Sequence, residues 1–295
     1  MTPHIFRREV LLGLVAAVAA RPVRAAVRSR VVASFSILAD IVGKIADGRV
    51  EVSSLVGPDA DAHVFEPSGA DVRMVAQAAL VAVNGLGFEG WLDRLVGATA
   101  RRDRPIIASA GVQPIQSGGA PDPHAWHDPR NGVIYANNIA RALSTIDPAG
   151  KPVYVANASR LTIALRRLDV QLRHSFSTLP TDRRAVLTSH DAFAYFGRAY
   201  GVKFIAVEGM STKDEVSARH LATIISQVRA GKIGALFIEN ATDHRLMGEI
   251  SRETGAKIGG RLYADALSAR GGPASTYIAL LSHNAGEILS ALAVR

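Results

Sequence analysis

The sequence predicts an α/β protein of two similar lobes, each built on a parallel sheet, joined by one long rigid helix and separated by a cleft. Three observations carry this. Short apolar runs of strand length alternate with amphipathic segments over residues 31–108 and again over residues 185–293, the rhythm of βα units on parallel sheets. Between these stretches, residues 151–177 contain no glycine and one proline, Pro152, placed where a first helical turn tolerates it. A chain of 295 residues is also long enough to bury a large core and to divide into two lobes. Self-similarity between the halves is weak at the level of sequence.

In chain order, residues 31–35 read as a first strand and 37–46 as a helix. Residues 49–56 alternate as a second strand that stops at Gly57-Pro58, and 59–67 form a polar loop. Ser68 with Asp71 is a capping box opening a helix to about residue 79. Residues 79–83 are a buried strand broken by Asn84-Gly85, 90–98 are amphipathic, 105–108 are a strand, and 113–123 are a loop rich in Gly, Pro and Ser. In the segment 151–177, Val155, Leu161, Leu165, Leu168 and Leu172 recur at broadly helical steps. At about 1.5 Å per residue that helix is roughly 40 Å long, enough to run the length of the molecule. Strands are then expected at 185–188, 202–207, 233–238 and 257–262, and helices at 191–200, 213–229, 242–254 and 275–293. Ser211 with Asp214 is a second capping box, and Gly255 is a helix stop. The expected organisation is a leader at 1–25, an N-terminal lobe at 26–150, the joining helix at 151–178 and a C-terminal lobe at 179–295.

The leader is read from Arg7-Arg8, an apolar run over residues 10–20, and Arg21-Pro22-Val23-Arg24-Ala25-Ala26. A basic start, a short apolar stretch and a small-residue cleavage site make a secretory signal. The run is too short to span a membrane. The arginine pair leans towards twin-arginine export, with the general secretory route as the alternative. Cleavage near Ala25 removes Arg7, Arg8, Arg21, Arg24 and Glu9, so the formal charge falls from +8 to +5. That balance, with no Lys/Arg run interleaved with aromatics, argues against nucleic acid as a partner. The chain has no cysteine. This excludes disulfides, thiolate metal sites and cysteine nucleophiles, and leaves His, Asp and Glu to bind any transition metal. It also removes the residue that a thioether lipid anchor needs, so the expectation is a soluble periplasmic protein and not a lipoprotein.

Ligands of open parallel sheets bind beyond the carboxyl ends of the strands. Four side chains fall at such ends: His63 in Asp61-Ala62-His63-Val64-Phe65-Glu66-Pro67-Ser68, His124 in Asp122-Pro123-His124-Ala125-Trp126, His190 in Thr188-Ser189-His190-Asp191-Ala192-Phe193, and Asp265 in Leu262-Tyr263-Ala264-Asp265-Ala266-Leu267. Two come from each half, so a cleft between lobes would let them meet. Three imidazoles and one carboxylate suit tetrahedral zinc at roughly 2.0–2.2 Å. Imidazole nitrogen favours Zn2+ over Mg2+, Ca2+ or Mn2+, which prefer oxygen, so Mn2+ is the lesser candidate. The bland alternative is that these are scattered loop histidines, since no local His-x-x-x-His pair binds them together.

The motifs narrow the choice. Val32-Ala33-Ser34-Phe35-Ser36-Ile37-Leu38-Ala39-Asp40, the Asp61 to Ser68 stretch, Asp122-Pro123-His124-Ala125-Trp126-His127-Asp128-Pro129, and Ser189-His190-Asp191-Ala192-Phe193-Ala194-Tyr195-Phe196 resemble the zinc/manganese solute-binding proteins of bacterial ABC importers. The resemblance covers essentially the whole chain after the leader. It implies a metal held between two lobes by His63, His124, His190 and Asp265, and a membrane permease of an ABC transporter as partner. A periplasmic metallochaperone is a second candidate partner, and the protein is expected to act as a monomer. It also implies no enzymatic activity. Manganese-type members carry Glu at the position of His190, so His there points to the zinc-type branch. The sequence departs from the family in three places. The long His/Asp-rich loop of many zinc members is missing before His124. Ala62 and Ala266 stand where Pro is usual, and water is the alternative to Asp265 as fourth ligand.

Around this set, Glu66 is expected as a helix-cap partner or an acceptor for a ligand N–H. His127 is expected at the surface, as are His174, His220, His244 and His283. Asp122 and Asp128 are expected as loop and cap residues, and Glu239 and Glu208 as cleft or permease contacts. The rival functions are a manganese or iron importer component, a zinc-dependent hydrolase with a metal-activated water, and a binding protein for haem or a metal chelate.

Overall fold

The structure is a computed structural model that describes residues 28–212 and 216–293. The expected leader and the Asp214 half of the second capping box lie outside the described residues. The first lobe is a parallel sheet of β1 (Arg30–Phe35), β2 (Glu51–Val56), β3 (Leu80–Val83) and β4 (Ile106–Ile107) in the order β2-β1-β3-β4. β1 lies inside the sheet and every residue after Arg30 is buried, which is why it reads as a continuous apolar run. The chain leaves it directly into α1 (Ser36–Ala46), whose Ile37, Leu38, Ile41, Val42 and Ile45 form one buried face. Asp47 then closes the helix in a left-handed conformation, φ 49°.

α2 (Gly69–Gln77) starts at the capping box expected from the sequence: Ser68 Oγ accepts from the Asp71 N–H while the Asp71 side chain accepts from the Ser68 N–H. α3 (Leu92–Gly97) follows β3. The loop expected at 113–123 contains a small antiparallel hairpin, β5 (Gln116–Ser117) with β6 (Ala120–Pro121). Next comes α4 (Pro129–Ile146), an 18-residue helix that the sequence reading passed over. Its signals are ordinary ones. Asp128 caps it by accepting from the Arg130 N–H, Pro129 opens it, and Tyr135, Ile139 and Leu143 keep a buried stripe.

α5 (Lys151–Ser177) is the long joining helix, 27 residues with Tyr154, Ala158, Leu161, Leu165, Leu168, Leu172 and Phe176 buried. The second lobe is again parallel. It consists of β7 (Ala185–Thr188), α6 (Ala194–Tyr200), β8 (Lys203–Ala206), α7 (Ala218–Arg229), β9 (Ala235–Glu239), α8 (Arg245–Thr254), β10 (Ile258–Leu262) and α9 (Tyr277–Ala293), with strand order β10-β9-β7-β8. Its helices begin later than their apolar periodicity suggests. α6 starts at Ala194 instead of Asp191, and α7 at Ala218, where Ser217 Oγ accepts from the His220 N–H. The polar residues released from the first turns form the loops at the carboxyl ends of the strands.

One buried apolar cluster runs from Val31 and Ile41 through Leu161 and Leu165 of α5 to Phe196, Tyr277 and Ile288. A smaller cluster, including Leu187, Ile224, Leu236 and Ile250, lies under α7 and α8. The two lobes therefore share most of their packing. No helix among the described residues is long and apolar enough to cross a membrane.

Candidate metal centre

The carboxyl ends of both sheets face the cleft, and the four side chains expected from the sequence meet there. One ligand-type atom from each of His63, His124, His190 and Asp265 lies within 4.8 Å of all the others. His63 Nε2 is 3.3 Å from His124 Nε2 and 3.3 Å from Asp265 Oδ2. Asp265 Oδ2 is 3.1 Å from His190 Nε2, and Oδ1 is 3.6 Å from His124 Nε2. Bonds of about 2.0–2.1 Å from a tetrahedral centre set donor atoms about 3.3 Å from each other.

Each ring is aimed by a different device. His63 follows β2 in the loop 57–67, where the Asp61 carboxylate accepts from the His63 N–H at 2.8 Å. For His124, Asp122 Oδ1 takes both the backbone N–H and ring Nδ1, each at 2.8 Å. Nδ1–H against a carboxylate leaves Nε2 as a lone pair facing the centre. The His124 loop is pinned from below by Asn84, which donates to the Pro123 carbonyl at 2.9 Å. It is pinned from the other lobe by Tyr195 Oη, which donates to the Asp122 carbonyl at 2.8 Å. His190 follows β7, and its Nδ1 lies 2.5 Å from Glu239 Oε2 at the end of β9. Glu239 Oε1 also accepts from the Ser189 and His190 N–H groups at 2.8 and 3.1 Å. Asp265 follows β10, and Trp126 Nε1 donates to the Ala264 carbonyl beside it at 2.9 Å.

His124 and His190 are fully buried and Asp265 nearly so, at 0%, 0% and 2% exposure, while His63 is the partly open member. Phe88 and Trp126 stand edge-on to His124, which keeps water from its flank. Burial alone would lower the His190 pKa, but Glu239 and Asp265 outweigh it and hold the ring protonated well above the usual 6.5. Burial likewise pushes Asp265 up, and the His190 and His124 charges override it to hold the carboxyl well below 3.8. Both ring nitrogens of His190, Glu239 Oε2 and Asp265 Oδ1 are buried without an aligned hydrogen bond, so His190 meets Glu239 and Asp265 as close ion pairs. Three buried carboxylates (Asp122, Glu239 and Asp265) surround the three imidazoles, a setting in which a divalent cation would satisfy both the unused lone pairs and the excess negative charge.

Some expectations for neighbouring residues change. His127 is not a surface residue: it is 0% exposed, its ring is 4.5 Å from Phe193, and neither nitrogen is hydrogen bonded. Burial, then the His124 charge, lowers its pKa to about 3, so it is a neutral packing ring. His244 is half-buried and its Nε2 is 2.6 Å from the Glu239 carbonyl. Asp122 and Glu239 are the carboxylates against ligand rings, and Glu66 is exposed. An acidic residue two before a ligand signals the first of these. The second depends on pairing between distant strands.

Comparison with known proteins agrees with this geometry. The family profile described as "ZnuA: Zinc-uptake complex component A periplasmic" matches residues 31–291. The metal ABC transporter substrate-binding lipoprotein FimA of Streptococcus parasanguinis is 32% identical over 294 residues, covering 96% of this chain and 95% of its own. The manganese ABC transporter substrate-binding lipoprotein PsaA of Streptococcus mitis is 32% identical over 275 residues, covering 90% and 89%. Among solved structures, the periplasmic zinc-binding protein TroA of Treponema pallidum superposes with a TM-score of 0.86 at 28% identity, over 90% of this chain and 99% of that one. These relatives correct the expected location. FimA and PsaA are named lipoproteins, against the expectation of a soluble, unanchored protein. That expectation rested on the lack of cysteine, which bears on one anchoring chemistry and not on where such proteins work. What the relatives support is an outward-facing binding protein. Because such proteins bind and hand over a solute, the hydrolase alternative falls. The chain belongs to the ZnuA family, the metal-binding components that serve the membrane permeases of ABC importers.

Proposed function

We propose that this protein captures Zn2+ with high affinity through His63, His124, His190 and Asp265 and delivers it to the permease of an ABC importer. The observation that carries the reading is the convergence of the four donors, all within 4.8 Å of one another, with His63–His124 and the three His–Asp265 contacts at 3.1 to 3.6 Å, near the spacing around one tetrahedral ion. Three neutral imidazoles and one carboxylate favour zinc over manganese, an ion better matched by oxygen. Asp265 fills the fourth position, so no water is needed there. Handover requires that the ligands separate, because a buried four-coordinate ion has no open face.

A manganese importer component is the second reading, and the name of PsaA favours it. The two separate at His190. Elemental analysis of the purified protein, followed by competition between Zn2+ and Mn2+, tests the choice. Zinc preference in the wild type that weakens in His190→Glu supports the first reading. Equal or greater preference for manganese in the wild type supports the second.

A further inference from the structure

The four ligand loops are not held alike. The His124 loop is joined to the second lobe by buried bonds: Tyr195 Oη to the Asp122 carbonyl, Trp126 Nε1 to the Ala264 carbonyl, and Tyr277 Oη to the Trp126 carbonyl at 2.6 Å. His190 and Asp265 both belong to the second lobe and share its packing. A single apolar cluster spans both lobes beneath them. Rocking one lobe against the other would break all of this together. The His63 loop crosses the cleft differently. Its attachment to the second lobe runs through two side chains: the part-buried Asp61 Oδ2 accepts from Thr212 Oγ1 at 2.7 Å, and Asp59 makes the bonds at the surface. Oδ1 of Asp59 accepts from Asn240 Nδ2 at 3.0 Å, and Oδ2 accepts from the Ala269 N–H at 2.9 Å. The Asp59 N–H donates to the Leu267 carbonyl at 2.9 Å. Asp59 is exposed and sits at φ 54°, a left-handed conformation that Asp tolerates. Among the described residues, His63 also lacks the carboxylate at Nδ1 that fixes His124 and His190.

We infer that Asp59 is a positioning residue for metal retention: it latches the His63 loop onto the loops after β9 and β10, and metal leaves when that latch opens, with the lobes otherwise in place. The inference rests on the proposed ligand set. Opening the loop withdraws one imidazole and exposes the ion, while three ligands stay fixed. Removing the Asp59 carboxylate therefore raises the rate of loss and leaves the loading rate nearly alone. Exposed hydrogen bonds of this kind, two of them lost together, correspond to about a tenfold faster release.

The test is stopped-flow release of Zn2+ to a chromophoric chelator from the wild type, Asp59→Gly, Asp59→Asn and Asn240→Ala. Glycine keeps the positive φ and removes only the side chain. The expected result is release about tenfold faster in Asp59→Gly, and intermediate both in Asn240→Ala and in Asp59→Asn, whose amide keeps one acceptor oxygen of the two. Loading rate and a stoichiometry of one ion should be unchanged. Hydrogen exchange should quicken in residues 57–64 and not in the His124 loop. Release from Asp59→Gly at the wild-type rate overturns the latch and leaves the ligand set standing. So does an equal acceleration of exchange in both loops, which would mean that the lobes separate as bodies. A wild-type protein that binds no zinc overturns the ligand set and the latch together. Asn240→Ala supplies the same decision if Asp59→Gly does not fold.

Discussion

Glu239 Oε2 lies 2.5 Å from His190 Nδ1 while its other oxygen accepts from the backbone N–H groups of Ser189 and His190. One carboxylate thus fixes both the ring and the turn that carries it. It is fully buried, so its charge is unscreened by water. Such outer carboxylates raise ligand basicity and hold the ring in one tautomer. Glu239→Gln should weaken zinc binding by about tenfold and Glu239→Ala by more, up to about a hundredfold. Chelator competition measures both. Affinity unchanged in both variants would reduce Glu239 to a structural cap.

The same pair sets a pH dependence. In the metal-free protein His190 keeps its proton above 6.5, because Glu239 and Asp265 outweigh the burial that opposes it. A bound cation must displace that proton, so affinity climbs with pH through 6.5 and flattens only past the raised His190 value. For the metal-free fold the sign is opposite. A raised pKa stabilises below the unfolded value, and that stability is lost as pH rises through the folded value. Asp265, held well below 3.8, stabilises above 3.8 and loses this as pH falls through its folded value. Melting of the metal-free protein should therefore be favoured by raising pH from 6 to 8, while the zinc-loaded protein gains stability over the same range. Calorimetry at pH 7 in buffers of different ionisation enthalpy should find about one proton released per ion.

His127 tests the distinction between a ligand and a packing ring. It is buried, neutral and tilted at 37° against Phe193, with no aligned hydrogen bond at either nitrogen. His127→Phe should leave zinc affinity within about twofold and hold or raise stability, because an unsatisfied buried polar group costs about 1–3 kcal/mol. Thermal melting and zinc competition on the same sample check it. A large loss of affinity would make His127 part of the site.

Gly132 lies where α4 packs against α5 and α9 with no room for a side chain. A Cβ there would fall 2.5 Å from Tyr277 Oη and 3.1 Å from Leu165 Cδ1, at the meeting of α4, α5 and α9. Tyr277 Oη is also the donor to the Trp126 carbonyl next to His127. Gly132→Ala should cost about 1–3 kcal/mol through overpacking, read as a lower melting temperature. Zinc should be bound more weakly than the loss of stability alone implies, because Tyr277 must move.

Much of this was legible in the chain because the signals are local. The capping box at Ser68, the unbroken apolar run of β1 and the glycine-free α5 each depend on neighbours in sequence. The convergence of His63, His124, His190 and Asp265 was legible because each lies in a loop within a distinct motif. What escaped is set by contacts between distant segments. Glu239 reaches His190 because β9 pairs with β7 in the register Val186↔Ala235 and Leu187↔Leu236, and no local pattern states a register. His127 looks like one polar residue among several at Asp122 to Asp128, and only the arrival of Phe193 from the second lobe buries it. α4 is the exception, a helix outside the expected set although its Asp128-Pro129 start and its Tyr135, Ile139 and Leu143 stripe are local signals.

X-ray absorption at the zinc edge, on the zinc-loaded wild type and His190→Ala, reads the ligand set itself. The expected spectrum shows about four nitrogen and oxygen atoms around the ion at about 2.0–2.1 Å. It should carry the outer scattering of three imidazoles, and one imidazole should disappear in the variant. A six-oxygen shell, or a spectrum indifferent to His190, would contradict that ligand set.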